Sequence, residues 1–335
     1  MTSSDAPDPV SGARQRQRRR RRASSSSSSS TITDAAAAAE RKVASALLLL
    51  WDELPHWRRD NAYILTGYRP ASNSYLASAR SALSGVHNES VNIWTHALGS
   101  LVLVPAAAII LLYYYYGGGV LAPRYLPSAG SADEFVFACF LLGAALCLGM
   151  SATFHTLSNH SEAVARWGNK LDYSGIVCLI VGSYVPALYY GLFCDPDLMS
   201  AYLYAIFILG LGCGVVSWVE KFRTPAWRPY RAAMFVGLGV SGVVPVCHGL
   251  KIYGYQSLNE RMGLNWVLLE GALYIFGAFL YAVRWPERTS PGAYDIWGHS
   301  HQLFHILILL AAASHLKGMT KAFDYHHDTL GARCP

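Results

Sequence analysis

From Asn92 onward the chain alternates long apolar runs with short polar connectors, and the runs have the length of a membrane span. About 20 residues of helix cross roughly 30 Å of hydrocarbon. Runs of that kind fall at 94–114, 134–156, 171–191, 201–219, 230–249, 266–285 and 299–316. Trp and Tyr punctuate their ends (Trp94, Tyr113 to Tyr116, Tyr189, Tyr190, Trp218, Trp266, Trp285), where amphipathic rings sit at the bilayer interface. Pro105, Pro186 and Pro245 lie inside runs, which membrane helices tolerate because neighbours satisfy the freed carbonyl. The pattern predicts an all-α membrane protein, a bundle of seven transmembrane helices.

Ahead of the runs the pattern breaks down. Residues 1–39 hold a basic tract from Arg14 to Arg22, a run of seven serines from Ser24 and an alanine stretch, with almost no bulky apolar side chains. Such a segment predicts a disordered tail. A basic tract can read as a nucleic-acid or nuclear-localisation patch, but beside many spans it reads as a solvated tail attracted to anionic lipid, and no nucleic-acid partner is expected. No apolar run follows Met1, so no cleavable signal is expected and the first span should direct membrane entry. Residues 40–91 regain Trp and Tyr (Trp51, Trp57, Tyr63, Tyr68, Tyr75) and are expected to fold as a juxtamembrane region under the bundle. Residues 92–316 form the transmembrane domain and 317–335 a short outer tail.

Composition agrees: 53% of the residues are apolar and only 14% charged, against about a quarter charged in soluble domains. Charge also sets orientation. Connectors after the second, fourth and sixth runs carry Arg166, Lys170, Lys221, Arg223, Arg228, Arg231, Arg284 and Arg288, whereas those after the first, third and fifth carry Arg124, Lys251 and Arg261. The richer side should be cytosolic, with the N-terminus inside and the C-terminus outside. The sequons at Asn88 and Asn159 then face the cytosol and should stay unmodified. The seven cysteines occur singly, five of them inside apolar runs, which indicates neither a disulfide framework nor a cysteine metal site.

Ionisable residues inside spans are costly and mark function. Here the second run ends at the cytosolic side with Ser151-Ala-Thr-Phe-His155, the third begins there with Leu171-Asp172, and the seventh with His299-Ser-His301-Gln-Leu-Phe-His305. His301 and His305, four residues apart, share one helical face. With His155 they make three imidazole ligands for Zn2+ and leave a position for water, the pattern of a catalytic site. Asp172 could bind the metal directly but fits better as the hydrogen-bond partner of that water and a general base, and Ser151, one turn before His155, fits as a supporting hydrogen bonder or oxyanion donor. His299 should point elsewhere, His96 reads as a structural hydrogen bonder, and His248 and Glu270 read as a polar contact between the ends of spans five and six.

Several motifs carry a family resemblance. They are Leu54-Pro-His-Trp57, Asp60-Asn-Ala-Tyr63-Ile64, Gly67-Tyr-Arg-Pro70, His87-Asn-Glu-Ser-Val-Asn-Ile-Trp-Thr-His96, Ser151-x-x-x-His155-Thr156, Leu171-Asp-Tyr173, Pro286-Glu-Arg288 and Asp295-Ile-Trp-Gly-His-Ser-His301-Gln-x-Phe-His305. Jointly they resemble the progestin and adipoQ receptor family, which includes the adiponectin receptors, yeast relatives and the plant heptahelical transmembrane proteins, with the plant proteins taken as most alike. The resemblance implies a zinc held by His155, His301 and His305, with water bridging to Asp172, and kinship with membrane metal hydrolases such as alkaline ceramidases. It implies signalling, in stress or hormone responses, through hydrolysis of a ceramide-like lipid amide in the plasma membrane or an endomembrane. The other reading is a non-enzymatic receptor whose zinc is structural and which meets a cytosolic partner through residues 40–91. A channel is disfavoured because the intramembrane polar groups gather at one end.

Overall fold

The structure, a computed structural model, describes residues 48–116 and 129–334. The tail assigned to 1–39 lies outside the described residues. Seven helices are long and apolar enough to cross a membrane: Ser90–Leu111, Ser131–Leu157, Glu162–Gly191, Pro196–Trp218, Pro229–Met262, Leu264–Val283 and Ser300–Thr329, here spans one to seven. Hydropathy located them all, but several run further than their apolar stretches. Span three starts at Glu162, nine residues before 171, because an amphipathic turn continues the helix beyond the apolar run. Span seven continues past 316 to Asp324 and closes in a π-turn, Tyr325–Thr329, so most of the expected outer tail is helical. Span five breaks near Ser241 and again at Gly254, whose φ of 72° is a left-handed conformation that suits glycine. Pro105 stands two residues beyond a π-turn, Gly99–Leu103, where the ladder adjusts to the missing N–H.

The spans are not equivalent. Within their most apolar windows, spans two, three and seven are 50%, 44% and 39% buried, against 17% for spans one, four and six. Those three are the interior of the bundle, and they carry His155, Asp172, His301 and His305. Span two lies along span three and span six along span seven. Gly143 and Gly182 make the first seam close: a Cβ on either would stand 2.6 Å from a backbone oxygen of the facing helix. Phe137, Phe140, Cys147, Leu179, Ile308 and Phe323 fill the middle, while Ile208, Leu211, Val244 and Phe279 are exposed as lipid-facing side chains should be.

Residues 49–90 form a cap on the end of the bundle where span two finishes. A bridge pairs Leu49 with Tyr68, and a helix, Tyr75–Leu83, begins at Ser74, whose hydroxyl accepts from the Ala77 N–H. The cap is joined to the spans by buried polar groups. Arg69, 2% exposed, donates to the carbonyls of His155 (2.6 Å) and Thr156 (3.0 Å), which the helix terminus leaves without intrahelical partners. Burial lowers its pKa to about 10, against the pull of Glu89, so it stays charged at neutral pH. Glu287 accepts from Asn61 of the cap (3.0 Å) and from the Ser300 N–H (2.7 Å) at the start of span seven. Asp295 accepts from the Leu65 N–H and Thr66 hydroxyl, both at 2.8 Å. Both sequon asparagines, Asn88 and Asn159, are buried, so glycan attachment is sterically blocked in the folded protein. Replacing Arg69 with methionine, which keeps much of the stem but removes the donors, should cost roughly 2–4 kcal/mol and lower the unfolding temperature in detergent; an unchanged midpoint would contradict this account of the cap.

At the opposite end a disulfide joins Cys194, after span three, to Cys334 beyond span seven, with Cα atoms 5.4 Å apart. This corrects the expectation of no disulfide framework, while the five cysteines inside apolar runs are free thiols. The two lie 140 residues apart, so no local spacing could announce the bond. Nor do the buried polar groups gather at one end. Asp133 accepts from the Tyr190 hydroxyl (2.8 Å) and from His327 (3.1 Å), and Glu270 meets His315 at 2.8 Å. On span seven, buried Ile308 and Ala311 separate these groups from the histidines at its start. His248 does not pair with Glu270; its ring meets Tyr202 at 3.0 Å.

Candidate metal centre

Span two ends, and spans three and seven begin, beneath the cap. Nδ1 or Nε2 atoms of His155, His301 and His305 lie within 4.8 Å of one another. The ring centroids form a near-equilateral triangle of 4.9, 4.9 and 4.8 Å, with the rings inclined at 61° to 90°, so that no two of them stack face to face. His155 and His305 are 2% exposed. A tetrahedral zinc ion about 2.0–2.1 Å from each nitrogen sets those nitrogens roughly 3.4 Å apart, inside the 4.8 Å within which the three ligand atoms lie.

Two of the rings are held from behind. Nδ1 of His155 lies 2.7 Å from Glu89 Oε2, and Nδ1 of His305 donates to the Asn92 carbonyl at 3.2 Å. Each contact leaves Nε2 as the free edge. In His155 that Nε2 is fully shielded and meets no hydrogen-bond partner, a costly arrangement for a buried acceptor unless a ligand takes its lone pair. Donor set and orphaned nitrogen fit a metal ion. Asp172 is outside the three-nitrogen group; it faces Ser151 and lies in the field of His155. Ser151 is buried.

The other histidines separate cleanly. His299 stands just before span seven and donates to the Asn88 carbonyl at 3.1 Å, away from the triad. The ring of His96 lies flat on that of His305, centroids 3.7 Å apart and planes 6° apart. His87 accepts the Glu89 N–H at Nδ1 (3.1 Å), which requires its neutral form. Burial, reinforced by the charge of Arg69, lowers its pKa to about 4. Because the folded value lies below the unfolded value of about 6.5, its contribution to stability is full above pH 6.5 and fades as the pH falls toward 4. His87→Gln should therefore flatten part of the loss in unfolding temperature between pH 6.5 and 4; parallel profiles for the two proteins would refute this.

The family model for Haemolysin-III related proteins matches residues 84–316, from the last turn of the cap into span seven. The chain belongs to this family. It is 42% identical over 280 residues to the ADIPOR-like receptor IZH2 of Saccharomyces cerevisiae, covering 84% of this chain and 85% of that protein. It is 43% identical over 272 residues to the adiponectin receptor protein of Drosophila melanogaster, 81% of this chain but 59% of the fly protein. Heptahelical transmembrane protein 4 of Arabidopsis thaliana is 31% identical over a region covering 81% of this chain, so the likeness extends to fungal and animal members as well as plant ones. The protein is thus an adiponectin-receptor-like, multi-pass membrane member of the Haemolysin-III related family.

Within that family fold, sequence reasoning missed Glu89 and Arg69. Both occur in the motifs that carry the resemblance, yet neither lies in an apolar run, where charge stands out as intramembrane. The signal was available: a glutamate and an asparagine three residues apart at the first turn of a span, opposite the end of a span that finishes in histidine.

Proposed function

We propose that this protein binds zinc through His155, His301 and His305 at the cytosolic end of its bundle and there hydrolyses the amide bond of a ceramide-type membrane lipid. The observation that carries the reading is the convergence of three imidazoles, two buried and one half-buried, one of them bearing a shielded nitrogen with no hydrogen-bond partner. Two features support the orientation: the excess of Lys and Arg in the connectors at this end, and the disulfide at the other, which suits an oxidising compartment.

When bound, zinc supplies a Lewis acid that polarises a carbonyl and brings the pKa of water toward 7. The chain's own groups do the rest. Asp172 orients the attacking water, accepts its proton and returns it to the departing amine. Ser151 donates to the carbonyl oxygen as it gains charge. The C–N bond breaks as a C–O bond forms; one hydrogen of the water ends on nitrogen, and the oxygen ends on the acyl carbon.

The test is fatty-acid release from ceramide by the purified protein in lipid nanodiscs, followed by mass spectrometry. Release no greater than that of a variant lacking His301 and His305 would remove the hydrolase reading. A second reading is favoured by the cap, which grips both His155 and the start of span seven: the metal pins spans two and seven beneath a surface that signals to a cytosolic partner. His155→Ala would then lower stability and signalling together, with no turnover to lose.

A further inference from the structure

We propose, building on the zinc reading, that Glu89 is a positioning residue for the metal: its carboxylate takes the Nδ1 proton of His155 and so turns the Nε2 lone pair toward His301 and His305. A neutral imidazole has one N–H and one lone pair, and a hydrogen bond at either nitrogen decides which edge is which. Glu89 Oε2 lies 2.7 Å from Nδ1, with the His155 side chain 3% and the Glu89 side chain 26% exposed. A carboxylate can only accept there, so the ring proton belongs to Nδ1. The opposite edge, Nε2, is the shielded nitrogen that meets no protein partner.

The carboxylate is itself fixed. Asn92 Nδ2 donates to the same oxygen at 2.8 Å. The backbone beneath it is held as well: the Glu89 N–H donates to His87, and the neighbouring Asn88 carbonyl accepts from His299 and Gln302, each at 3.1 Å. Asn92 has a second task, since its carbonyl accepts from Nδ1 of His305. One turn at the start of span one, Glu89 to Asn92, therefore orients two of the three imidazoles, which belong to two other spans. A carboxylate behind a ligand histidine also raises the basicity of the ligating nitrogen, and loss of such a partner typically weakens metal binding by about 10–100-fold. The Asn92 carbonyl behind His305 is neutral, so the stronger effect belongs to Glu89.

Glu89→Gln tests this. The side chain keeps its shape but loses its charge: an amide oxygen facing the Asn92 donor accepts the Nδ1 proton more weakly than a carboxylate, so the ring is held less firmly and its ligating nitrogen is less basic. The full chain, purified in detergent and stripped with a chelator, is titrated with zinc against a competing chelator. The wild type should take up about one ion per chain, Glu89→Gln should bind about 10–100-fold more weakly, and Glu89→Asp, which keeps the charge, should fall between. The unfolding temperature of the stripped protein should match wild type, and cobalt loaded in place of zinc should show altered ligand-field bands in Glu89→Gln. Affinity for Glu89→Gln within twofold of wild type, with an unchanged cobalt spectrum, would overturn the role of Glu89 and leave the zinc reading standing. A wild type that binds no zinc would overturn both. Should Glu89→Gln fail to fold, Glu89→Asp decides: wild-type affinity there together with an unaltered cobalt spectrum counts against the proposal, and intermediate affinity supports it.

Discussion

Replacing His301 and His305 together with alanine is expected to leave the purified protein without bound zinc, where the wild type should carry about one ion per chain. Removing two of three nitrogens leaves only His155, and a lone imidazole does not hold an ion through purification. The loss should also be visible as stability. A ligand present at about a thousand times its Kd stabilises the folded state by about 4 kcal/mol, and for a chain of this size each kcal/mol is worth roughly 2–4 °C. Elemental analysis and thermal unfolding of the same samples, with and without chelator, provide the check. The wild type should lose on the order of 10 °C on metal removal, and the double variant should be indifferent to it. A double variant that retains wild-type zinc would end the reading of this site as a metal centre.

The second large effect concerns Asp172. Asparagine matches aspartate in shape but cannot take a proton at neutral pH, so Asp172→Asn should lower fatty-acid release by about 10²- to 10⁴-fold, the usual worth of a general base. Zinc content should stay near wild type, because the carboxylate lies outside the group of nitrogens that meet within 4.8 Å. That split separates a catalytic role from a ligating one. If metal and activity are lost together, Asp172 is a ligand; if neither changes, it has no part in the chemistry.

Both experiments bear on a site built largely by the cap. His155 is gripped at its carbonyl by Arg69 and at its ring by Glu89, and span seven starts on Glu287, which also accepts from Asn61. The motifs that mark the family are thus mostly the polar contacts joining residues 49–90 and 286–299 to the spans. A partner that moved the cap would move the imidazoles with it, which gives the receptor and hydrolase readings a shared physical basis.

The amino-acid sequence determined the seven spans and placed His155, Asp172, His301 and His305 at one end of the bundle. Span length against hydrocarbon thickness and the four-residue helical repeat are local properties, readable without a fold. Helix ends were less legible, as at Glu162 and Asp324, since amphipathic turns prolong a helix without prolonging its apolar run. The tertiary structure alone decided which edges His155 and His305 present, that His96 stacks on His305, that Glu270 pairs with His315, and that Cys194 finds Cys334. The reason is distance along the chain. Glu89 lies 66 residues from His155 and Arg69 86 residues from it, and a contact of that range belongs to the packing of the spans, which no local pattern encodes.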